Sequence, residues 1–212
     1  MDIEIRREQE NDYRIVEEIT REAFWNLHVP GCDEHLLAHN LRKAPVFIPA
    51  LDFVASMNNR IVGNIMYCRS TVKSDTGAAF DMLTFGPLSV LPEYQKQGIG
   101  AALIRHSLKE AARLNYKAVL IYGDPAYYHR FGFQSAKEFA ISTSEGTTMD
   151  ALMALELQEG ALHGISGRFF EGDAYRVDAE ELIEFEKTFP YKEKRVTESQ
   201  KRFLELSGQT DE

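Results

Sequence analysis

A strand pattern, Leu88-Ser89-Val90-Leu91, runs through the polar turn Pro92-Glu93-Tyr94-Gln95-Lys96-Gln97 into Gly98-Ile99-Gly100 and then into an amphipathic helix that extends to about Asn115. The next run, Ala118-Val119-Leu120-Ile121-Tyr122, is apolar throughout, as in a strand covered on both faces. Strand, crossover helix and strand imply a parallel pair, which commits the chain to an α/β sheet. Leu103, Ser107, Leu108, Ala111 and Leu114 fall on the sheet side of the helix, with Arg105, His106, Lys109 and Glu110 outward. Gly98 and Gly100 remove side chains where the chain enters the helix, so backbone N–H groups there can converge on an anion, with phosphate the expected guest.

The flanking sequence supplies the rest of a mixed sheet. Ile3-Glu4-Ile5-Arg6 alternates like a half-buried strand, and Asp12 to Trp25 carries Tyr13, Val16, Ile19 and Ala23 at helical spacing. Asp33 suits the N-cap of a second helix that ends before Pro45. Residues 52–57 and 61–68 read as two antiparallel strands around the turn Asn58-Asn59-Arg60. Phe80 to Val90 is a longer strand broken by Gly86-Pro87, which predicts a bulge. Pro125 opens a short helix, and residues 151–157 read as a late strand by length and flanks, with Ala and Leu leaving a helix open. Leu162 to Phe170 can extend the sheet, while 179–187 and 197–206 read as surface helices. No linker or repeat interrupts the chain, so a single domain is expected, with a core over 1–157 and an extension over 158–212 that can build a homodimer surface.

Charge narrows the partners. A formal net charge of −9 argues against nucleic acid, because phosphate-backbone affinity is built from Lys and Arg clusters. Apolar runs are too short for a membrane helix, and Met1 to Arg6 lacks a secretion-signal pattern, so a cytoplasmic protein is expected. Cys32 and Cys68 have no metal-ligand spacing and read as reduced thiols.

The glycine turn excludes two common phosphate binders. A dinucleotide fingerprint needs a third glycine where Leu103 stands, and a P-loop needs Gly-Lys-Ser/Thr. Gln95-Lys96-Gln97-Gly98-Ile99-Gly100 instead fits Q/R-x-x-G-x-G/A, which resembles the acetyl-CoA motif of the GNAT superfamily of N-acetyltransferases. Downstream, Gly123-Asp124-Pro125-Ala126-Tyr127-Tyr128-His129-Arg130-Phe131-Gly132-Phe133 resembles a second block of that family, closest to a bacterial branch with a C-terminal extension. The resemblance covers residues 1 to about 157. It implies a GNAT-like fold with splayed central strands and acetyl-CoA as cosubstrate, held at Leu88, Val90, Gln95, Lys96, Gln97, Gly98, Ile99, Gly100 and Ala101.

The implied reaction is direct transfer of acetyl from acetyl-CoA to a primary amine of a small molecule or peptide, with no metal. An amine of pKa near 10.4 is neutral in only about one part in a few thousand at pH 7, a deficit of roughly 4–5 kcal/mol that a base must cover. The departing thiolate needs a proton, and the resemblance puts the Tyr128 hydroxyl there as general acid, with Tyr127 packing beside it. It also maps the oxyanion contact to the backbone N–H of Val90 or its immediate neighbour. Neither motif contains a cysteine, which argues against a covalent acetyl-enzyme.

No base is prescribed. The glutamate that some family members carry on the splayed strand corresponds here to Thr84, while Asp81 lies three residues earlier. Glu22, Asp33 and Glu34 come from the segment that forms a substrate wall in the family, and Trp25, His28, Asp81 and Thr84 are the candidate acceptor-pocket residues. Ser142 to Thr148 is a polar loop where acceptor specificity is often set in the family. His35 and His39, spaced i and i+4 after Cys32 and Asp33, can face one metal, but no third ligand is prescribed and a pocket wall is the preferred reading. Thr84 also leaves open a different class, a non-catalytic acyl-CoA sensor or interaction module.

Overall fold

Asn58 and Asn59 adopt φ of 50° and 63°, the pair of left-handed residues that a two-residue hairpin turn demands. They join two strands of a mixed, nine-stranded sheet in the computed structural model, which describes residues 2–201. In chain order the elements are β1 (Glu4–Arg7), α1 (Tyr13–Phe24), α2 (Glu34–Leu41), β2 (Phe53–Met57), β3 (Arg60–Lys73), β4 (Ala79–Val90) and α3 (Ile99–Arg113). They continue as β5 (Ala118–Tyr122), α4 (Pro125–Tyr128), β6 (Gln134–Ser135), β7 (Ile141–Ser142), β8 (Leu152–Glu156), β9 (Gly167–Phe170) and α5 (Ala179–Glu186). A helical turn also begins at 198, and the rest of the helix expected over 197–206 lies outside the described residues.

The main sheet path is β1-β2-β3-β4-β5-β8-β6, antiparallel except for the β4–β5 pair. Met66 and Cys68 pack under α2, whereas Tyr67, one residue out of phase, donates or accepts a 2.9 Å hydrogen bond with Ser107 of α3. Strand alternation therefore puts helices on both faces. Leu103, Ser107 and Ala111 are buried as their spacing predicts, but Leu114 caps the helix and is 38% exposed. His106 is not fully outward, since its ring meets Phe53 edge-on at 4.8 Å. Asp33 takes the N-cap position of α2 without a side-chain capping bond, whereas Asp124 and Asp178 cap α4 and α5 with their carboxylates.

Residues beyond 157 pack back on the core. β9 pairs with the far half of β3, and α5 docks on α1, where Arg21 holds both Glu186 carboxylate oxygens at 2.8 and 2.9 Å. His35 also reaches Glu186 at 2.7 Å, whereas His39 takes Glu17 at 2.8 Å. The two imidazoles thus serve different carboxylates, and no metal-binding group occurs among the described residues. Cys32 lies 3.5 Å from His35 Nδ1, and burial pushes its thiol far up in pKa, so it stays protonated. Cys68 is likewise a free, buried thiol.

One buried cluster gives a stability prediction. Arg42 forks onto Glu8 at 2.9 and 2.7 Å and reaches Glu17 at 3.3 Å, leaving Asp52 enclosed beside them. Burial first, then the Glu8 carboxyl, raise Asp52 far above the usual carboxylate range, so it is protonated at neutral pH. An acid raised on folding binds a proton that the unfolded chain releases, so its contribution to stability is complete below the unfolded pKa and declines as pH rises toward the folded one. Asp52→Asn keeps a neutral donor without this cost. Thermal melts are expected to show the variant on the order of 1 kcal/mol more stable at pH 7, about 2–4 °C, with the gap widening toward pH 9. A gap that closes with rising pH would overturn the assignment.

Candidate active site

The site begins where β4 leaves its neighbour. Ile65 opposes Leu88 and Tyr67 opposes Phe85, so Gly86-Pro87 face Met66 alone and form the bulge expected from the sequence. On the other edge, β4 meets β5 only at Leu83↔Val119, and the strands then diverge. The antiparallel register fixes which backbone groups face the gap. Leu91 N–H bonds Val62 O at 2.9 Å, so by alternation Val90 and Leu88 are the positions whose N–H and C=O turn away from β3. The Val90 carbonyl accepts a 3.0 Å hydrogen bond from Gln95 Nε2, as that geometry requires.

Beyond Val90 the chain turns into α3. Gly98 has φ of 89° and caps the helix, and a Cβ placed on it would meet nothing within 4 Å. The helix therefore starts with unpaired N–H groups facing open space, the arrangement that attracts a diphosphate. At Gly100 a Cβ would stand 3.0 Å from the Tyr127 hydroxyl. Lys96 and Arg130 border the same space, and the Arg130 guanidinium lies 4.6 Å from the Tyr127 ring centre. Gln97 points elsewhere and donates to Glu93 O at 3.0 Å, and it does not line the cleft.

A cleft of about 1640 Å³ runs from this turn along Leu88 and Val90 to the opposite face of the sheet. Tyr128 lines its middle, with ring contacts to Tyr127, Phe85 and Phe133 at 5.1, 6.0 and 5.7 Å. Its ring lies so close to Gly123 that a Cβ there would stand 2.3 Å from Cε2. Burial raises the Tyr128 pKa well above that of a free phenol, so the hydroxyl is protonated at any physiological pH.

The far wall carries His28, Asp33, Glu34, Thr143 to Glu145 and Thr147. Of the four acceptor-pocket candidates, only His28 lines the cleft, 3.3 Å from Glu34. Trp25 is displaced from it because the C-terminal segment covers it: its Nε1 donates to Glu193 O at 2.9 Å, and the Arg21 guanidinium sits over its ring. Asp81 is exposed at the other end of β4, paired with Thr71. Thr84 is fully buried with Tyr175 beside it. Glu22 is occupied by Lys192 at 2.5 Å.

Two lining residues, Tyr175 and Glu171, were not anticipated. Tyr175 donates to Gly86 O at 3.4 Å and packs with Ala38, Leu41, Met66 and Cys68. Glu171 follows β9 directly and has no hydrogen bond or ion pair among the described residues, and burial alone pushes its carboxyl up to about 7. Both lie in the segment after 160, where periodicity is weak and no motif marks them.

Comparison with known proteins agrees with this geometry. Residues 51–135 match the model of the acetyltransferase (GNAT) domain. YjhQ of Escherichia coli K12, named an uncharacterized N-acetyltransferase, is 35% identical over 86 residues, which span 41% of this chain and 47% of that protein, about half its length. YhbS of the same strain, similarly named, is 29% identical over 135 residues, 63% of this chain and 78% of its own. The crystal structure of E. coli YhbS in complex with CoA has a TM-score of 0.72 at 26% identity, covering 82% of this chain and 91% of that one. A GNAT acetyltransferase of Brucella melitensis in complex with acetyl-CoA has a TM-score of 0.66 at 24% identity, covering 82% and 99%, and shows the shared fold.

Proposed function

From the match of residues 51–135 to the acetyltransferase (GNAT) domain, we propose that the chain transfers the acetyl group of acetyl-CoA to a primary amine by direct attack in a ternary complex. The observation that carries this reading is the gap between β4 and β5: it exposes the backbone groups of Leu88 and Val90 and ends on the open N-terminus of α3. A thioester with an extended amide arm and a diphosphate at its far end matches those features in order. CoA in the YhbS crystal structure supports the assignment of ligand class.

In this mechanism α3 and the turn before it hold the diphosphate, with Lys96 and Arg130 adding positive charge. Gln95 fixes the Val90 carbonyl and so orients the peptide unit at the end of the splayed strand, next to the N–H that meets the thioester oxygen. Acetyl-CoA supplies an activated carbonyl and a thiol leaving group. Tyr128 gives its proton to the departing sulfur and is restored by solvent. Residues 158–201 complete the acceptor wall from the opposite side and belong, on this reading, to the same functional unit. The lack of a carboxylate at Thr84 favours a purely CoA-binding role only if that position faces the acceptor, and Thr84 is buried beside Tyr175 and outside the cleft lining.

Tyr128→Phe tests the reading. Free-thiol release with a panel of primary amines is expected to fall about 10²-fold, the usual cost of losing an acid catalyst, while CoA affinity by calorimetry stays unchanged. If wild-type protein binds CoA but releases no thiol above hydrolysis with any amine, the enzymatic reading fails.

A further inference from the structure

Resting on that reading, we propose that Glu171, delivered by the C-terminal extension, is the general base that removes the proton from the acceptor ammonium. The observations start from the gap in the machinery. Transfer needs an acceptor in its free-base form, yet Thr84 is buried and not a carboxylate, Asp81 lies outside the cleft, and Glu22 is tied to Lys192. Glu34 lies against His28. Asp33 lines the far wall at the N-cap of α2, whereas Glu171 lines the cleft from the C-terminal extension and has no ion pair among the described residues.

Its position is fixed from both sides. The preceding residue, Phe170, is in register with Thr71 at the far half of β3. Four residues on, the Tyr175 hydroxyl bonds the carbonyl of Gly86, in the bulge that opens β4 to the cleft. Between these anchors Glu171 is held near the splayed strand, on the side where the extension and α2 meet. Tyr128 lies on α4, which follows β5, so the two groups reach the cleft from different elements. That suits an acid serving the sulfur and a base serving the nitrogen.

The groups facing Glu171 come from three elements: Tyr122 of β5, Cys68 of β3, and Tyr175 after β9. All three are neutral, held protonated by burial. Of the cations on neighbouring strands, Lys73 lies over the Phe170 ring at 4.7 Å, and the Arg168 guanidinium lies beside Gly146. Glu145 also lies in the cleft wall, where it acts on Tyr122. The Glu171 carboxyl therefore titrates near neutrality, at about 7, where it can take a proton without holding it permanently.

The step balances. The acceptor ammonium gives one proton to Glu171, the freed lone pair forms the N–C bond, and the C–S bond breaks. Tyr128 protonates the sulfur, and the second nitrogen proton leaves as the amide forms. The products are an amide, CoA thiol and one net proton, which Glu171 returns to solvent.

Glu171→Gln is isosteric and removes only the base. With the best amine found in the panel, kcat/KM is expected to fall about 10²-fold at pH 7 while CoA affinity is unchanged. The wild-type rise in kcat/KM with an apparent pKa near 7 is expected to disappear, leaving only the limb set by the amine itself. Hydroxylamine, neutral at pH 7, is expected to lose much less than an alkylamine. A structural role for Glu171 would lower both acceptors alike and leave the pH profile intact, which overturns the proposal, as does an unchanged rate. If wild type releases no thiol with any amine, the acetyltransfer reading itself fails, and that outcome is distinct because no variant enters it.

Discussion

Gly98→Asp is expected to weaken CoA binding at least about 10³-fold while the protein still folds. Two physical changes coincide at this position. The residue has φ of 89°, where a Cβ costs roughly 1–2 kcal/mol of backbone strain. The new carboxylate then projects into space that is otherwise open, since a Cβ here meets nothing within 4 Å. On the proposed reading that space holds the diphosphate, whose charge-assisted bonds to backbone N–H groups are worth roughly 1.5–3 kcal/mol each. Losing two of them gives 3–6 kcal/mol, or about 10²–10⁴ in affinity, and like-charge repulsion adds to it. Asn, which tolerates left-handed backbone, separates the causes: Gly98→Asn is expected to lose only about tenfold. Calorimetric titration with CoA decides it. Equal losses for Asp and Asn would mean that backbone strain, not an anion, sets the effect, and wild-type affinity in both would remove the diphosphate from this turn.

The features of this cleft that could be read in the sequence are those encoded locally. Gly98 and Gly100 advertise a backbone that must approach a ligand or turn tightly, and Gly86-Pro87 advertises a strand that must leave its ladder; both show in the register and in φ. The proposed acid is marked by a local motif for the same reason, because Tyr128 lies within one short helix just before Gly132-Phe133. The acceptor side is assembled from distant segments. Glu171 enters because Phe170 pairs with Thr71, a contact across nearly half of the chain, and nothing in the sequence around 171 records it. Trp25 departs from its expected place for the complementary reason: an aromatic at the end of α1 suits a pocket wall until residues near 193 fold over it. For Asp81, distance along β4 decides the matter, since the strand runs 12 residues and the cleft begins at its opposite end.

Gly123→Ala tests the proposed acid, Tyr128, without substituting it. A Cβ at this position would lie 2.3 and 2.5 Å from Cε2 and Cδ2 of Tyr128, inside any permitted contact. The backbone cannot yield easily, because Gly123 N–H is bonded to Ala151 O at 2.8 Å at the end of the β5–β8 pair. The ring must therefore move by about 1 Å or more, enough to cost on the order of 10²-fold in a reaction that depends on placement. Thiol release is expected to drop 10²–10³-fold, with CoA affinity within about threefold, and overpacking is expected to lower stability by about 1–3 kcal/mol. The double variant is the sharper measurement. If Gly123→Ala acts by displacing the Tyr128 hydroxyl, combining it with Tyr128→Phe removes the same proton donor twice, and the double variant is expected to be no slower than the slower single one. Multiplicative losses would instead show that the methyl group obstructs the acceptor or the thioester directly, and Tyr128 would then be a wall of the cleft rather than its acid.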